Sequence, residues 1–184
     1  MISREEAFIL IKKYLKDQDN VKISVAVESL LKEIAIKLEK DQQLWGLTGL
    51  LHNIDYEYTS GNPEKRGILS AQMLEGLLPE TGVNAIKAIN YTHTDYIPIT
   101  SLDKALIAST AIIGLMFAVV PITPNKKITQ VDFKTLIEKF NDKDFATRFN
   151  RSRIELCADI GFNLESFLKL SLDTIKELSQ KLDL

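Results

Sequence analysis

The side chains best suited to bind a metal or to act as nucleophiles are few in this sequence. It has two histidines and one cysteine among 184 residues. His52 lies where an apolar segment ends and a polar loop, residues 53–65, begins. A single histidine at a helix end is usually structural, because the C-terminus of a helix stabilises a cation. With Asp55 and Glu57 it could instead bind one metal, but a solvated polar loop is the simpler interpretation.

The other candidates for chemistry are weaker. His93 with Asp95 could bind a metal or line a pocket, although a surface position suits this histidine equally well. Two histidines cannot supply a His-rich two-metal centre. Ser24 and Ser109 have no evident His-Asp partners, and Cys157 falls on an apolar stripe, which favours a buried, unreactive thiol.

The charge pattern argues against nucleic acid as a partner. The formal net charge is −2, and no Gly-rich phosphate loop, Cys-x-x-Cys motif or basic-aromatic pattern occurs. Three arginines that could face an anionic ligand cluster at Arg148, Arg151 and Arg153, and a solvated helix surface is the simpler interpretation for them.

Composition and periodicity predict one all-α domain over residues 1–184, a helical bundle of about seven to nine helices. Apolar residues recur at spacings of three and four, and period-2 runs are nearly absent. Side chains that could cap helices precede these segments at Ser3, Asp41, Thr100, Thr129, Asp132, Asp144 and Asn163. Phe145, Phe149, Leu156 and Ile160 form one predicted stripe, and Gly161 suits a helix end.

One segment, residues 105–120, carries no charge at all. It is shorter than the roughly 20 residues that a membrane-spanning helix needs, so we expect a buried core helix and no membrane association. Glu5 and Glu6 lie where an export signal would carry positive charge, and a single cysteine suits a reducing compartment. We therefore expect a cytoplasmic protein.

The segment Trp45-Gly-Leu-Thr-Gly-Leu-Leu-His-Asn-Ile-Asp-Tyr-Glu57 resembles a motif of small bacterial proteins in the HD-domain (HDIG-type) metal-dependent phosphohydrolase superfamily. In that family the motif reads Gly-Leu-Leu-His-Asp-Ile-Asp-Tyr-Glu. Further segments resemble the family in the same order along the chain: Ser24-Val-Ala-Val-Glu28, Arg66-Gly67, Ala85-Ile-Lys-Ala-Ile-Asn90, residues 105–116 and residues 140–167. The resemblance therefore covers nearly the whole chain and implies an HD-domain-like helical fold.

The same resemblance implies that the metal site is degenerate. In active relatives, His and Asp side chains hold one or two divalent metals, and a metal-bound water attacks a phosphoester. The six corresponding positions here are Ile23, His52, Asn53, Arg66, Ile89 and Thr110, so one ligand of that set, His52, is kept. Isoleucine has no lone pair to offer, and Arg66 is a permanent cation that repels a metal ion. We expect no catalytic residue, no bound metal and no other cofactor.

Two function classes follow from this resemblance. The first is a catalytically degenerate protein that binds a small anionic ligand or a protein partner without hydrolysing it. The alternative is a metal-dependent phosphohydrolase, acting on a nucleotide or another phosphoester, with an altered metal site. The loss of charge and ligands together favours the first class.

Without a metal, the site is either filled by side chains or retains space for another ligand. Ile23, Ile89 and Thr110 favour partial filling by packing, because empty space forfeits dispersion contacts. Arg66 favours retained anion affinity, since a guanidinium binds phosphate or carboxylate bidentately without a metal. Our hypothesis places Arg66 near His52 and Asn53, with His93 as a further candidate for the anion site. The alternative is that Arg66 points into solvent.

Overall fold

The computed structural model describes residues 1–182, and within them the chain forms nine α-helices and no strand. The all-α prediction, with seven to nine helices, is therefore confirmed. The helices are α1 (Arg4–Tyr14), α2 (Gln18–Lys37), α3 (Gln42–Leu51), α4 (Ile68–Leu74), α5 (Glu80–Ala88), α6 (Ser101–Val119), α7 (Phe133–Asn141), α8 (Arg151–Glu155) and α9 (Leu164–Leu182). Short 3-10 turns lie at Pro63–Lys65, Val120–Ile122, Ile128–Gln130 and Leu156–Ile160.

Most of the predicted helix caps are present. The Ser3 hydroxyl accepts from the Glu6 amide, and the Glu6 carboxylate accepts from the Ser3 amide, which completes a capping box. Asp41 accepts from two amides at the start of α3, and Asn163 accepts from the Ser166 amide at 2.8 Å. Gly161 ends its 3-10 turn with φ 90°, in the left-handed region that favours glycine.

Two local predictions are wrong. Asp144 caps no helix, because α8 begins at Arg151 and its cap is Asn150. Phe145 and Phe149 consequently lie outside any helix, so they share no helical stripe with Leu156 and Ile160. In both cases the apolar spacing continues across the boundary at which α8 begins.

The first compact unit of the chain spans Met1–Leu106. Its core includes Ile11, Leu30, Leu50 and Leu74, all fully buried. Helices α2 and α3 pack closely because Gly49 has no side chain: a Cβ there would lie 2.9 Å from the Val27 carbonyl oxygen. This contact places the C-terminal end of α3 against α2.

The second compact unit begins at Ile107, and the structure describes it to residue 182. Helix α9 packs against α7 and against the 3-10 turn Ile128–Gln130. The buried side chains of this unit include Leu136, Ile154, Phe167 and Ile175. Each unit has its own apolar core. The prediction of one domain over residues 1–184 stays a prediction.

The apolar segment 105–120 falls within α6 and the turn that follows it. By length and composition, Ser101–Ile122 could cross a membrane, but 67% of its most apolar window is buried inside the protein. Ala105, Leu106, Ile112 and Met116 are fully buried. Burial of this kind is what a core helix shows, as predicted from the sequence.

Candidate functional site

His52 follows the last residue of α3 and is only 3% exposed. Its Nδ1 lies 2.6 Å from the Gly49 carbonyl oxygen, which can only accept a hydrogen bond. Nδ1 therefore carries the hydrogen, and Nε2 keeps its lone pair. The pKa of His52 is lowered from 6.5 to about 4, mainly by burial; the bond to Gly49 opposes this shift, and the positive charge of Arg66 adds to it. The imidazole is neutral at physiological pH.

Arg66 lies beside the two residues that the sequence predicted as its neighbours. Its Nη2 donates to Asn53 Oδ1 at 3.3 Å, and its guanidinium stacks over the Tyr56 ring, 4.6 Å from the centroid. Burial lowers the pKa of Arg66, while the nearby Tyr56 and Asp55 oppose that shift. The side chain does not simply point into solvent. His52, Asn53 and Arg66 form one group, called here the Arg66 site.

Asp55 is fully buried and acts as the cap that α4 lacks locally. Helix α4 is preceded by Gly67, which has no side chain to cap it and adopts φ 78°. Asp55 Oδ2 accepts from the Gly67 amide at 2.7 Å and from the Ser70 amide at 3.0 Å. The Asp55 amide in turn donates to the Ser70 hydroxyl at 3.1 Å. The carboxylate thus satisfies amides that the start of the helix leaves without partners.

Glu57 holds the segment that leads into α2, a helix whose own cap is Asp17. Its carboxylate accepts from the Lys16 and Asp17 amides, at 2.9 and 3.0 Å, and from the Asn20 side chain at 3.2 Å. These bonds lower the pKa of Glu57, and the bond from the Asp17 amide contributes most. The interpretation of residues 53–65 as a solvated loop is therefore wrong at its start, because its acidic side chains stabilise two helix N-termini.

The side chains in and next to the Arg66 site do not fit a divalent metal. His52 Nδ1 donates to Gly49, and the carboxylates of Asp55 and Glu57 face amides at α4 and before α2. These potential metal ligands therefore do not converge on one point. In residues 1–182, no group of three or more His, Cys, Asp or Glu side chains could hold a metal ion. The guanidinium of Arg66 would also repel a cation placed beside Asn53.

The remaining positions of the resemblance are apolar or bonded locally. Ile23 lies half-buried on α2, and Ile89 is buried directly after α5. Thr110 belongs to the second unit, where its hydroxyl donates to the Ile107 carbonyl of the same helix at 2.9 Å. None of these three side chains offers a ligand to a metal. Filling of the site by their packing stays a prediction.

His93 is held by its own loop. Its Nδ1 lies 3.0 Å from Asn90 Oδ1 and 2.9 Å from the Thr92 hydroxyl. Asn90 Nδ2 donates in turn to the Pro63 carbonyl. His93 therefore orders the segment after α5, and its inclusion in the anion site stays a prediction.

Arg151 is the residue whose role the sequence interpretation missed. Its guanidinium donates to six backbone carbonyls, those of Lys139, Phe140, Asp142, Phe145, Ala146 and Phe149, at 2.7 to 3.2 Å. It is not a solvated surface residue, and it has no donor left for an anion. Arg148, by contrast, is exposed and stacks on Phe149. Cys157 is buried, and burial raises the pKa of its thiol to about 11, so it is unsuited to nucleophilic attack.

The buried neutral His52 predicts a loss of stability in mild acid. The pKa is about 4 in the folded chain and 6.5 in the unfolded chain, so the unfolded chain binds the extra proton between these values. The free energy of unfolding should therefore fall as the pH falls, by about 2 kcal/mol between pH 7 and pH 5 from this residue. Urea unfolding of the natural chain and of His52→Asn measures the difference, and equal pH slopes would contradict it.

Comparisons with known proteins add no relative: no family model, curated protein or solved structure matches this chain. We therefore infer the function from the geometry and charge of the Arg66 site.

Proposed function

We propose that the chain binds a small oxyanion at Arg66 and does not hydrolyse it. The observation that carries this proposal is a half-buried guanidinium with most of its donors unused. Arginine has five N–H donors, and Arg66 makes one side-chain hydrogen bond, to Asn53, within the described residues. The ion pairs found in this part of the chain do not include Arg66. A partly buried cation with unused N–H donors gains the most free energy from an anionic partner.

The neighbours of Arg66 suit anion binding without chemistry. Asn53 accepts from Arg66 and is uncharged, and His52 is neutral. Asp55 is a carboxylate whose charge acts on Arg66, and its Oδ2 is occupied by two amides of α4. Among His52, Asn53 and Arg66 the guanidinium is the charged group, and no group of metal-binding side chains in residues 1–182 could activate a water molecule. These features support a degenerate member of the phosphohydrolase family, retaining affinity for phosphate or carboxylate groups.

Thermal unfolding in the presence of phosphate tests the proposal. If the dissociation constant is about 1 mM, 10 mM phosphate stabilises the folded chain by about 1.4 kcal/mol, which raises Tm by roughly 3–6 °C. We expect this shift in the natural chain and its loss in Arg66→Ala. Chloride at equal ionic strength controls for general salt effects.

Lys65→Ala is the matched control, because Lys65 is an exposed cation next to Arg66 in the chain. It should respond to phosphate as the natural chain does. Equal phosphate shifts in the natural chain and in Arg66→Ala would overturn anion binding at this site. Release of phosphate from a phosphoester in the presence of Mn²⁺, lost in His52→Ala, would overturn the absence of hydrolysis.

A further inference from the structure

The imidazole of His52 presents an acceptor rather than a donor at the Arg66 site. The Gly49 carbonyl fixes the hydrogen on Nδ1, at 2.6 Å. Nε2 therefore has a lone pair, and no hydrogen-bond partner of Nε2 occurs within the described residues. Nε2 is not among the fully enclosed unpaired atoms, so solvent reaches it, and a ligand that displaces this solvent must supply a donor or lose a hydrogen bond.

The neighbouring groups present donors. Asn53 uses its Oδ1 to accept from Arg66, so its Nδ2 hydrogens are directed away from the guanidinium. Arg66 lies close enough to His52 for its charge to lower the pKa of the imidazole. The same small region therefore combines several N–H donors, a positive charge and one neutral acceptor.

We propose that His52 Nε2 accepts a hydrogen bond from an O–H or N–H carried by the bound anion, so that the site selects protonated or hydroxyl-bearing oxyanions over fully deprotonated ones. This inference rests on the proposed function, since Arg66 must bind the anion. Monohydrogen phosphate and 2-hydroxycarboxylates carry such a donor, whereas sulfate and acetate do not. When a bound anion displaces the solvent that reaches Nε2, a ligand without the donor leaves this acceptor unpaired, and the site therefore disfavours that ligand.

The test compares phosphate with sulfate at pH 7.5 by isothermal titration calorimetry. The two ions have nearly the same size and shape, but phosphate keeps an O–H at this pH and sulfate has none. We expect the natural chain to bind phosphate at least ten times more tightly than sulfate. Glycolate against acetate provides a second pair that differs in one hydroxyl group.

Two variants of His52 separate its two nitrogens. In His52→Asn the amide nitrogen can replace Nδ1 as donor to Gly49, but the acceptor is lost, so phosphate and sulfate should bind with similar affinity. In His52→Gln an amide oxygen can reach the position of Nε2, so a preference for phosphate should partly return. A Tm close to that of the natural chain shows that each variant is folded.

The outcomes distinguish this inference from the proposed function. If Arg66→Ala abolishes binding while the natural chain binds phosphate and sulfate equally, the role of His52 is wrong and anion binding at Arg66 stands. If His52→Asn keeps the full tenfold preference, the role of His52 is also wrong. If Arg66→Ala binds phosphate as tightly as the natural chain does, the proposed function fails first.

Discussion

Replacing Asp55 by alanine is expected to lower the free energy of unfolding by about 4 kcal/mol, the largest effect of any single substitution in the first unit. The variant removes the partner of two amides, those of Gly67 and Ser70, at the start of α4. An unpaired buried amide costs about 1–3 kcal/mol. The variant also removes a carboxylate whose charge acts on Arg66, which leaves a half-buried cation less compensated.

Asp55→Asn is the matched variant. Its single oxygen can replace Oδ2 and accept from both amides, and its nitrogen would occupy the place of Oδ1, which has no hydrogen-bond partner in the described residues. The expected cost is therefore smaller, about 1–2 kcal/mol, and reflects mainly the lost charge. Urea denaturation of both variants measures the two costs. Equal costs for alanine and asparagine would show that the amide bonds contribute little.

Replacing Arg151 by alanine should destabilise the chain by about 3 kcal/mol. Lys139 and Phe140 lie at the C-terminal end of α7, where carbonyls have no partner within the helix. The guanidinium satisfies them and also ties down the segment 142–149 through four further carbonyls. Hydrogen bonds to a charged group contribute about 1.5–3 kcal/mol each in isolation, although they do not add fully.

Two further substitutions isolate the geometry of Arg151. Arg151→Lys keeps the charge but has three donors rather than a planar fork, so it should recover less than half of the loss. Arg148→Ala removes an exposed arginine from the same segment and should cost under about 1 kcal/mol. Thermal and urea unfolding of the three variants provide the comparison. A cost for Arg148→Ala as large as that for Arg151→Ala would contradict the specific role of Arg151.

The sequence predicts the helices well because their starts are encoded locally. Ser3, Asp41 and Asn163 each cap the helix that follows within three residues, so a short window contains the whole signal. Asp55 caps a helix that begins beyond a loop, and Glu57 binds amides just before a helix that is distant from it in the chain. No local pattern distinguishes such a cap from a metal ligand or a solvated acid.

The Arg66 site is likewise only partly predictable from local sequence. The family resemblance predicts that Asn53 and Arg66 stand at metal-ligand positions, and the structure places these two side chains in contact. The tautomer of His52 depends on the Gly49 carbonyl, which belongs to the preceding turn of α3 and carries no sequence signal. One local feature does indicate a distant cap for α4: Gly67 precedes this apolar helix and has no side chain to cap it.

The most direct test of metal-independent anion binding at Arg66 is calorimetric titration of the natural chain with phosphate, first in EDTA and then with Mg²⁺ or Mn²⁺ present. Anion binding by a guanidinium needs no metal, so we expect the same dissociation constant under both conditions and no binding to Arg66→Ala. Phosphate binding that appears only when a divalent metal is added, and that persists in Arg66→Ala, would contradict the account.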